Sequence, residues 1–422
     1  MEQPIQAVSV VPLRSLGSNR THSVNQSKDG QPFIKKREIR MFNLSKEQEE
    51  RAKRLHQESI VVDTLGTGTV ASAEYTPRML KRAAELVKEG APTPSILHEL
   101  ERMHAEDLIA GRSDIERERM ELSGVDVFHV TTTLRFARSP FERAVVGIAL
   151  WQRKFDCLDY LVKATTFKDI EQAKAQGKRA IIMGFQDSEH FGRDLDKLQW
   201  FYDLGIRIIQ LTYNLRNFVG SGCTERADGG LSLFGVEVVK RMNQLGILVD
   251  VSHCGYQTTM DAIEISSAPV AVTHASSRKL YEHDRGKSDE VIRALAARNG
   301  YFGVLAFPSF LSDLSRREAS LNDVLDHIDY VAGIMGVDKV GIGTDWPGSV
   351  HPLIVGKIKE DLLAQGFREE HQIFPEAVVQ GFRDRRDWPN ITRGLVSRGY
   401  SDDEIKGILG GNFLRLFKEV VG

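Results

Sequence analysis

Apolar residues along this chain fall into two alternating rhythms. Short, near-continuously apolar runs rich in β-branched residues recur at SIVVDTL (59–65), VDVFHVTTT (125–133), RAIIMGFQ (179–186) and IRIIQLTY (206–213). They continue at GILVDVSH (246–253), PVAVTHAS (269–276), GYFGVLAF (300–307) and KVGIGTDW (339–346). Strands buried on both faces of a parallel sheet carry such runs. Between them lie segments with helical spacing, among them DLDKLQWFYDLG (194–205), SLFGVEVVKRMNQLG (232–246), SDEVIRALAARNG (288–300) and SLNDVLDHIDYVAGIMG (320–336). Each ends on a glycine, so Gly205, Gly246, Gly300 and Gly336 are expected to close these helices as left-handed caps. Eight strand–helix units predict an α/β fold, a (β/α)8 TIM barrel. A doubly wound open sheet is disfavoured, because TLGTGTV after the first run holds only a weak Gly-x-Gly.

The ends of the chain depart from this alternation. Residues 1–43 are rich in Ser, Gln, Asn and Lys and read as an N-terminal arm, either a loose tail or a segment packed on a partner subunit. A single barrel domain over 44–422 follows. It opens with a helix over 44–59, where Ser45 and Gln48 have the spacing of a capping box. The stretch 76–123 predicts an inserted helical hairpin. A last helix starts at Ser401 and runs through SDDEIKGILGGNFLRLFKEVV.

Composition narrows the partners. The 422 residues carry 56 basic and 58 acidic side chains, a net charge of −2 that gives nucleic acid or an anionic membrane no electrostatic hold. No apolar run is long enough to span a bilayer, and the opening residues lack a secretory pattern. Three cysteines, Cys157, Cys223 and Cys254, are too few for a disulfide framework and predict the cytoplasm.

The chemistry sits at the ends of the runs, where barrel enzymes place their active sites. Those ends hold Asp63, Gln186, Tyr213, His253, His274 and Asp345. Two histidines on adjacent strands and an aspartate on the last strand are the ingredients of a metal site, and neutral imidazole suits Zn²⁺. A metal there would acidify a water and polarise a carbonyl, and Asp345 would move the proton.

LVDVSH, VTHASS, HDRGKSDE and GIGTDWPG, with LTYNLRNFVGSG, GLSLFGVEVVKRMNQLG and ILGGNFLRLF, resemble the membrane (renal) dipeptidase family of amidohydrolase-type barrels. The resemblance runs from about residue 59 to 418. It implies that His253 and His274 ligate metal, that Asp345 is the aspartate near the metal and the catalytic water, and that Arg285 grips a substrate carboxylate with its planar fork. Tyr213 and Asn214, in LTYNLRN, fall on the substrate side. It also implies a small amide substrate with a carboxylate, and a homodimer.

Three positions depart from the family pattern. The opening His-x-Asp is Leu65 and Thr67, the bridging glutamate is Gln186, and the substrate-side histidine is Tyr213. Leucine ligates nothing, an amide bridges two dications poorly, and a phenol can still donate to an oxyanion. The expectation is therefore one Zn²⁺ held by His253, His274 and Gln186. Gln186 and Tyr213 occur together in a bacterial branch that the chain resembles. Asp63, Asp187, Glu189 and His190 are candidates to replace the missing ligands. Their other reading is structural, as is that of His129, which falls mid-run. Cys254 points away from His253, and His283 serves either substrate or loop. Two rivals stand beside a dipeptidase: a barrel enzyme of another class (lyase, decarboxylase or lactam-opening) and a binding protein that has lost the site.

Overall fold

The computed structural model describes residues 42–66, 75–132, 139–345 and 350–422. The arm over 1–43 and Thr67 therefore fall almost wholly or wholly outside the described residues. Eight strands follow the predicted order: β1 (Val62–Asp63), β2 (Val127–Thr131), β3 (Arg179–Phe185), β4 (Ile206–Gln210), β5 (Leu248–Asp250), β6 (Ala271–Ser277), β7 (Tyr301–Val304) and β8 (Val340–Ile342). Each pairs in parallel with the next. The ring closes where Thr64 N–H donates to Ile342 O at 3.0 Å and Asp345 N–H donates to Leu65 O at 2.9 Å. This is the TIM barrel that the eight apolar runs predict.

Side chains fill the barrel in layers. Thr64 Oγ1 reaches across to donate to Thr273 O at 2.6 Å. At that level Gly303 and Gly343 have no room for a side chain, because a methyl on either would lie 2.1 or 2.0 Å from Thr273 O. Below it, Val62, Ile182, Ile208, Leu248 and Tyr301 pack on Phe413 and Phe417 of the last helix, Asn412–Val420. Burying each of these phenylalanines contributes about 1.5–3 kcal/mol. The last helix thus plugs the floor and leaves the opposite mouth for chemistry.

The structure refines several expectations. The first helix, Lys46–Glu58, has the Ser45–Gln48 capping box. The insertion after β1 is three helices rather than a hairpin: Pro77–Lys88, Thr93–Ile109 and Ile115–Ser123. The first two share an apolar cluster with Ile354 of the helix Pro352–Ala364. Gly205, Gly246 and Gly336 have positive φ as expected, but before Gly300 it is Asn299 that takes the left-handed conformation. Gly300 is small for another reason, since a methyl there would lie 2.7 Å from Val270 O. The C-terminal helix breaks at Gly410, where a methyl would lie 2.1 Å from Ile60 O, so the chain kinks to pass the start of β1. Two short strands were not foreseen. Leu161–Lys163 pairs with β3, and Gly286–Lys287 pairs with β6.

Asp63 is fully occupied by barrel closure. Its Oδ1 accepts Thr344 N–H at 2.8 Å and its Oδ2 accepts Thr344 Oγ1–H at 2.7 Å. Thr344→Val removes the second donor and leaves a buried carboxylate oxygen unsatisfied, so a stability loss of about 1–3 kcal/mol is expected in urea denaturation. An unchanged midpoint would contradict this role.

Candidate active site at the barrel mouth

His253, His274 and Asp345 come together at the C-terminal mouth. Among the described residues, they form the one group of three metal-ligating side chains that converges, with one ligand atom from each lying within 4.8 Å of the others. Both histidines are buried and Asp345 is half-buried. Asp345 has φ 54°, a left-handed backbone that costs most residues roughly 1–2 kcal/mol and that aspartate tolerates better. It begins the loop after β8 in this conformation while its N–H stays on Leu65 O.

Hydrogen bonds behind the rings set their tautomers. Asn214 Oδ1 lies 2.7 Å from His253 Nδ1, so this nitrogen donates and Nε2 keeps its lone pair. Thr273 Oγ1–H donates to Asp250 Oδ2 at 2.6 Å and accepts from His274 Nδ1–H at 2.8 Å. His274 Nε2 therefore also keeps its lone pair. The two Nε2 atoms face each other at 3.0 Å. Two lone pairs at that distance repel unless a proton or a cation lies between them, so the donor set fits a metal ion. Asp250 also accepts Ser252 N–H and Oγ–H and Thr273 N–H, which ties β5 to β6 behind the histidines.

Two buried cations hold the segment that carries His253. Arg285 Nη1 donates to Ser252 O at 2.7 Å and Nη2 to His274 O at 3.0 Å. Lys287 Nζ donates to Val251 O at 2.7 Å and Cys254 O at 2.8 Å, and burial pushes its pKa down to about 8. Tyr213 stacks on His253 with ring centroids 4.0 Å apart. Asn214 is fully buried behind His253, where it orients the ring. Gln186 is buried just past the end of β3, and its backbone carbonyl accepts Gln210 Nε2–H at 2.5 Å.

The other polar candidates serve elsewhere. Asp187 accepts Asn217 Nδ2–H at 2.7 Å, and burial with nearby Glu189 raises its carboxyl to about 7. His190 Nδ1 faces Pro140 O. Neither these residues nor Glu189 or Asp63 joins the converging group. His129 is fully buried with Nδ1 on Thr64 O at 2.7 Å. Burial raises the Cys254 thiol to about 11, which suits a packed residue rather than a nucleophile. Sequence reasoning missed Asp250, Thr273 and Lys287. The signal for the first two was their place three and one residues before the histidines, in LVDVSH and VTHAS.

The sequence profile of the membrane dipeptidase family, peptidase family M19, matches residues 49–360 and 375–421. The chain belongs to the membrane dipeptidase family. Within it, the chain is similar to the dipeptidase aclJ of Aspergillus oryzae, at 28% identity over 266 residues, 62% of this chain and 57% of that protein. It is also similar to the dipeptidase tcpJ of Claviceps purpurea, at 28% over 264 residues, 62% and 56% of the two chains. The match thus spans a little over half the length of these fungal relatives. Among solved structures, an amidohydrolase from Pseudomonas aeruginosa is 30% identical with a TM-score of 0.68, covering 88% of this chain and 99% of that one. A Rhodobacter sphaeroides metallopeptidase, solved with a phosphinate mimic of the dipeptide L-Ala-D-Ala, shares the fold at 19% identity and a TM-score of 0.62, covering 86% and 100%.

His283 supports Arg285 from the loop, accepting Arg285 N–H on Nδ1 at 3.0 Å. Burial, with His371 and Arg285 close by, pushes its pKa from 6.5 down to about 3. The folded state therefore holds the neutral ring. Its contribution to stability is complete above pH 6.5 and is lost as pH falls toward 3. His283→Asn, which retains an acceptor, is expected to flatten the stability–pH curve over that interval in chemical denaturation. A curve parallel to wild type would contradict this.

Proposed function

We propose that this protein is a metal-dependent dipeptidase that hydrolyses an amide bond in a small carboxylate-bearing substrate, using one Zn²⁺. The observation that carries this reading is the convergence of the His253 and His274 lone pairs with the Asp345 carboxylate at the barrel mouth. His253 and His274 would hold the ion, with the Gln186 amide as a further neutral donor. When bound, the ion supplies Lewis-acid polarisation of a carbonyl and a water acidic enough to react near neutrality.

The chain's own groups do the rest. Asp345 takes the proton of the attacking water on a carboxylate oxygen and returns it to the leaving nitrogen. The Tyr213 phenol donates to the carbonyl oxygen as it gains charge. Arg285 spends two N–H donors on backbone carbonyls, and among the described residues its Nε–H meets no acceptor, so the fork retains donors for a substrate carboxylate. Asn214 keeps His253 in one tautomer. Its place behind the ring supports this orienting role over the substrate contact expected from sequence.

Three free cysteines support a reducing compartment, and we place the protein in the cytoplasm. No described helix is long and apolar enough to cross a membrane. Family resemblance supports a homodimer, which light scattering would check.

Amine release from a panel of dipeptides tests the reaction. Wild type is expected to cleave at least one of them. Asp345→Asn and His253→Ala are expected to lower kcat/KM by roughly 10³-fold or more with unchanged circular dichroism. Full activity in Asp345→Asn would remove the proposed base. Release of product without a new amine would favour the lyase class.

A further inference from the structure

Residues 361–374 lie between the two stretches that the family profile matches. They finish the helix Pro352–Ala364, turn at Gly366 with φ 92°, and make one tight helical turn over Glu369–His371. The segment crosses the mouth like a strap. Gly366 passes so close to the loop after β4 that a methyl there would lie 2.5 Å from Leu215 Cδ2 and 2.6 Å from Thr224 Oγ1. Arg368 Nη1 donates to Thr224 O at 3.3 Å on that loop. On the far side, Arg368 Nη2 and His371 Nε2 donate to Asp284 Oδ2 at 2.7 and 3.1 Å. The strap therefore ties the loop after β4, which carries Asn214, to the residue next to Arg285.

Its aromatic face reaches Arg285 through Phe310. Phe367 stacks on Phe310 with centroids 5.7 Å apart at 24°, and the Arg285 guanidinium carbon lies 5.5 Å from the centroid of the same Phe310 ring. His371 packs on His283 at 4.8 Å, and His283 packs on Phe310 at 4.8 Å. Arg285 is fully buried beside these rings. Rings in mutual contact form a wall with little room to yield, and a wall made partly from the strap has a position set by the strap's anchors.

We propose that the strap is a specificity element that walls in the carboxylate end of the pocket and admits only a small side chain next to the substrate carboxylate. The inference rests on the reading of Arg285 as the partner of that carboxylate. A glycine or alanine at this position presents little to the wall. A phenylalanine would have to displace Phe367 or break the anchors on Asp284.

The test compares kcat/KM for Ala-Gly, Ala-Ala and Ala-Phe with the zinc-loaded full chain as wild type, Phe367→Ala and Arg368→Ala/His371→Ala. Wild type is expected to favour Ala-Gly over Ala-Phe by about tenfold or more, and both variants are expected to shrink that ratio by about tenfold. The double variant leaves Phe367 in place, so the test stands even where the cavity left by Phe367→Ala unfolds the segment. A merely structural strap would change all three substrates by a common factor, which would overturn the proposal. Equal use of Ala-Gly and Ala-Phe by wild type would do the same. Wild type inert toward every dipeptide would sink the dipeptidase reading and this inference together. An active wild type with unaltered selectivity in both variants would sink the strap alone.

Discussion

The site depends on two imidazole lone pairs held 3.0 Å apart. Left to themselves, two neutral rings would rotate or exchange protons to avoid that arrangement. Here Asn214 fixes one tautomer, and the Asp250–Thr273 pair fixes the other. Arg285 and Lys287 then pin the backbone on both sides of His253. The barrel supplies the rigidity behind this. β5 and β6 are adjacent, their ends are joined through Asp250, and the interior beneath is filled by Thr64 and Thr273. A pair of imidazoles held in this way is already oriented for the ion proposed above.

Around that pair, among the described residues, the mouth has one furnished side and one bare side. Leu65 is buried at the end of β1 and offers no donor. Asp63, the nearest carboxylate on that strand, bonds Thr344 through both oxygens. Asp187 and His190, after β3, turn to Asn217 and Pro140. These commitments support reading the site as one ion's worth of ligands. The Arg285 side is enclosed differently, by aromatic rings from the loops after β6 and β7 and from a segment that the family profile leaves unmatched.

Much of this was legible in the sequence, because a parallel barrel writes its strands as continuous apolar runs and places the side chains that converge at its mouth as their last residues. His253, His274 and Asp345 stood out for that reason. What stayed hidden depends on contacts between distant segments. The last helix looks unbroken until Ile60 O is seen against Gly410. Asn299 takes the left-handed turn expected one residue later at Gly300. Asn214 reads as a substrate contact until its oxygen is found behind His253. Lys287 carries no signal in the sequence, and its role emerges only where its donors meet the carbonyls around His253. The sequence carries residue types, and only the fold reveals which backbone carbonyl each side chain will meet.

Metal content per chain tests the central claim most directly. The measurement is elemental analysis of protein purified without chelator, set against protein concentration. The account predicts one zinc ion per wild-type chain, lost in both His253→Ala and His274→Ala. Two ions per chain would contradict the single-ion site, and none would contradict the metal chemistry altogether.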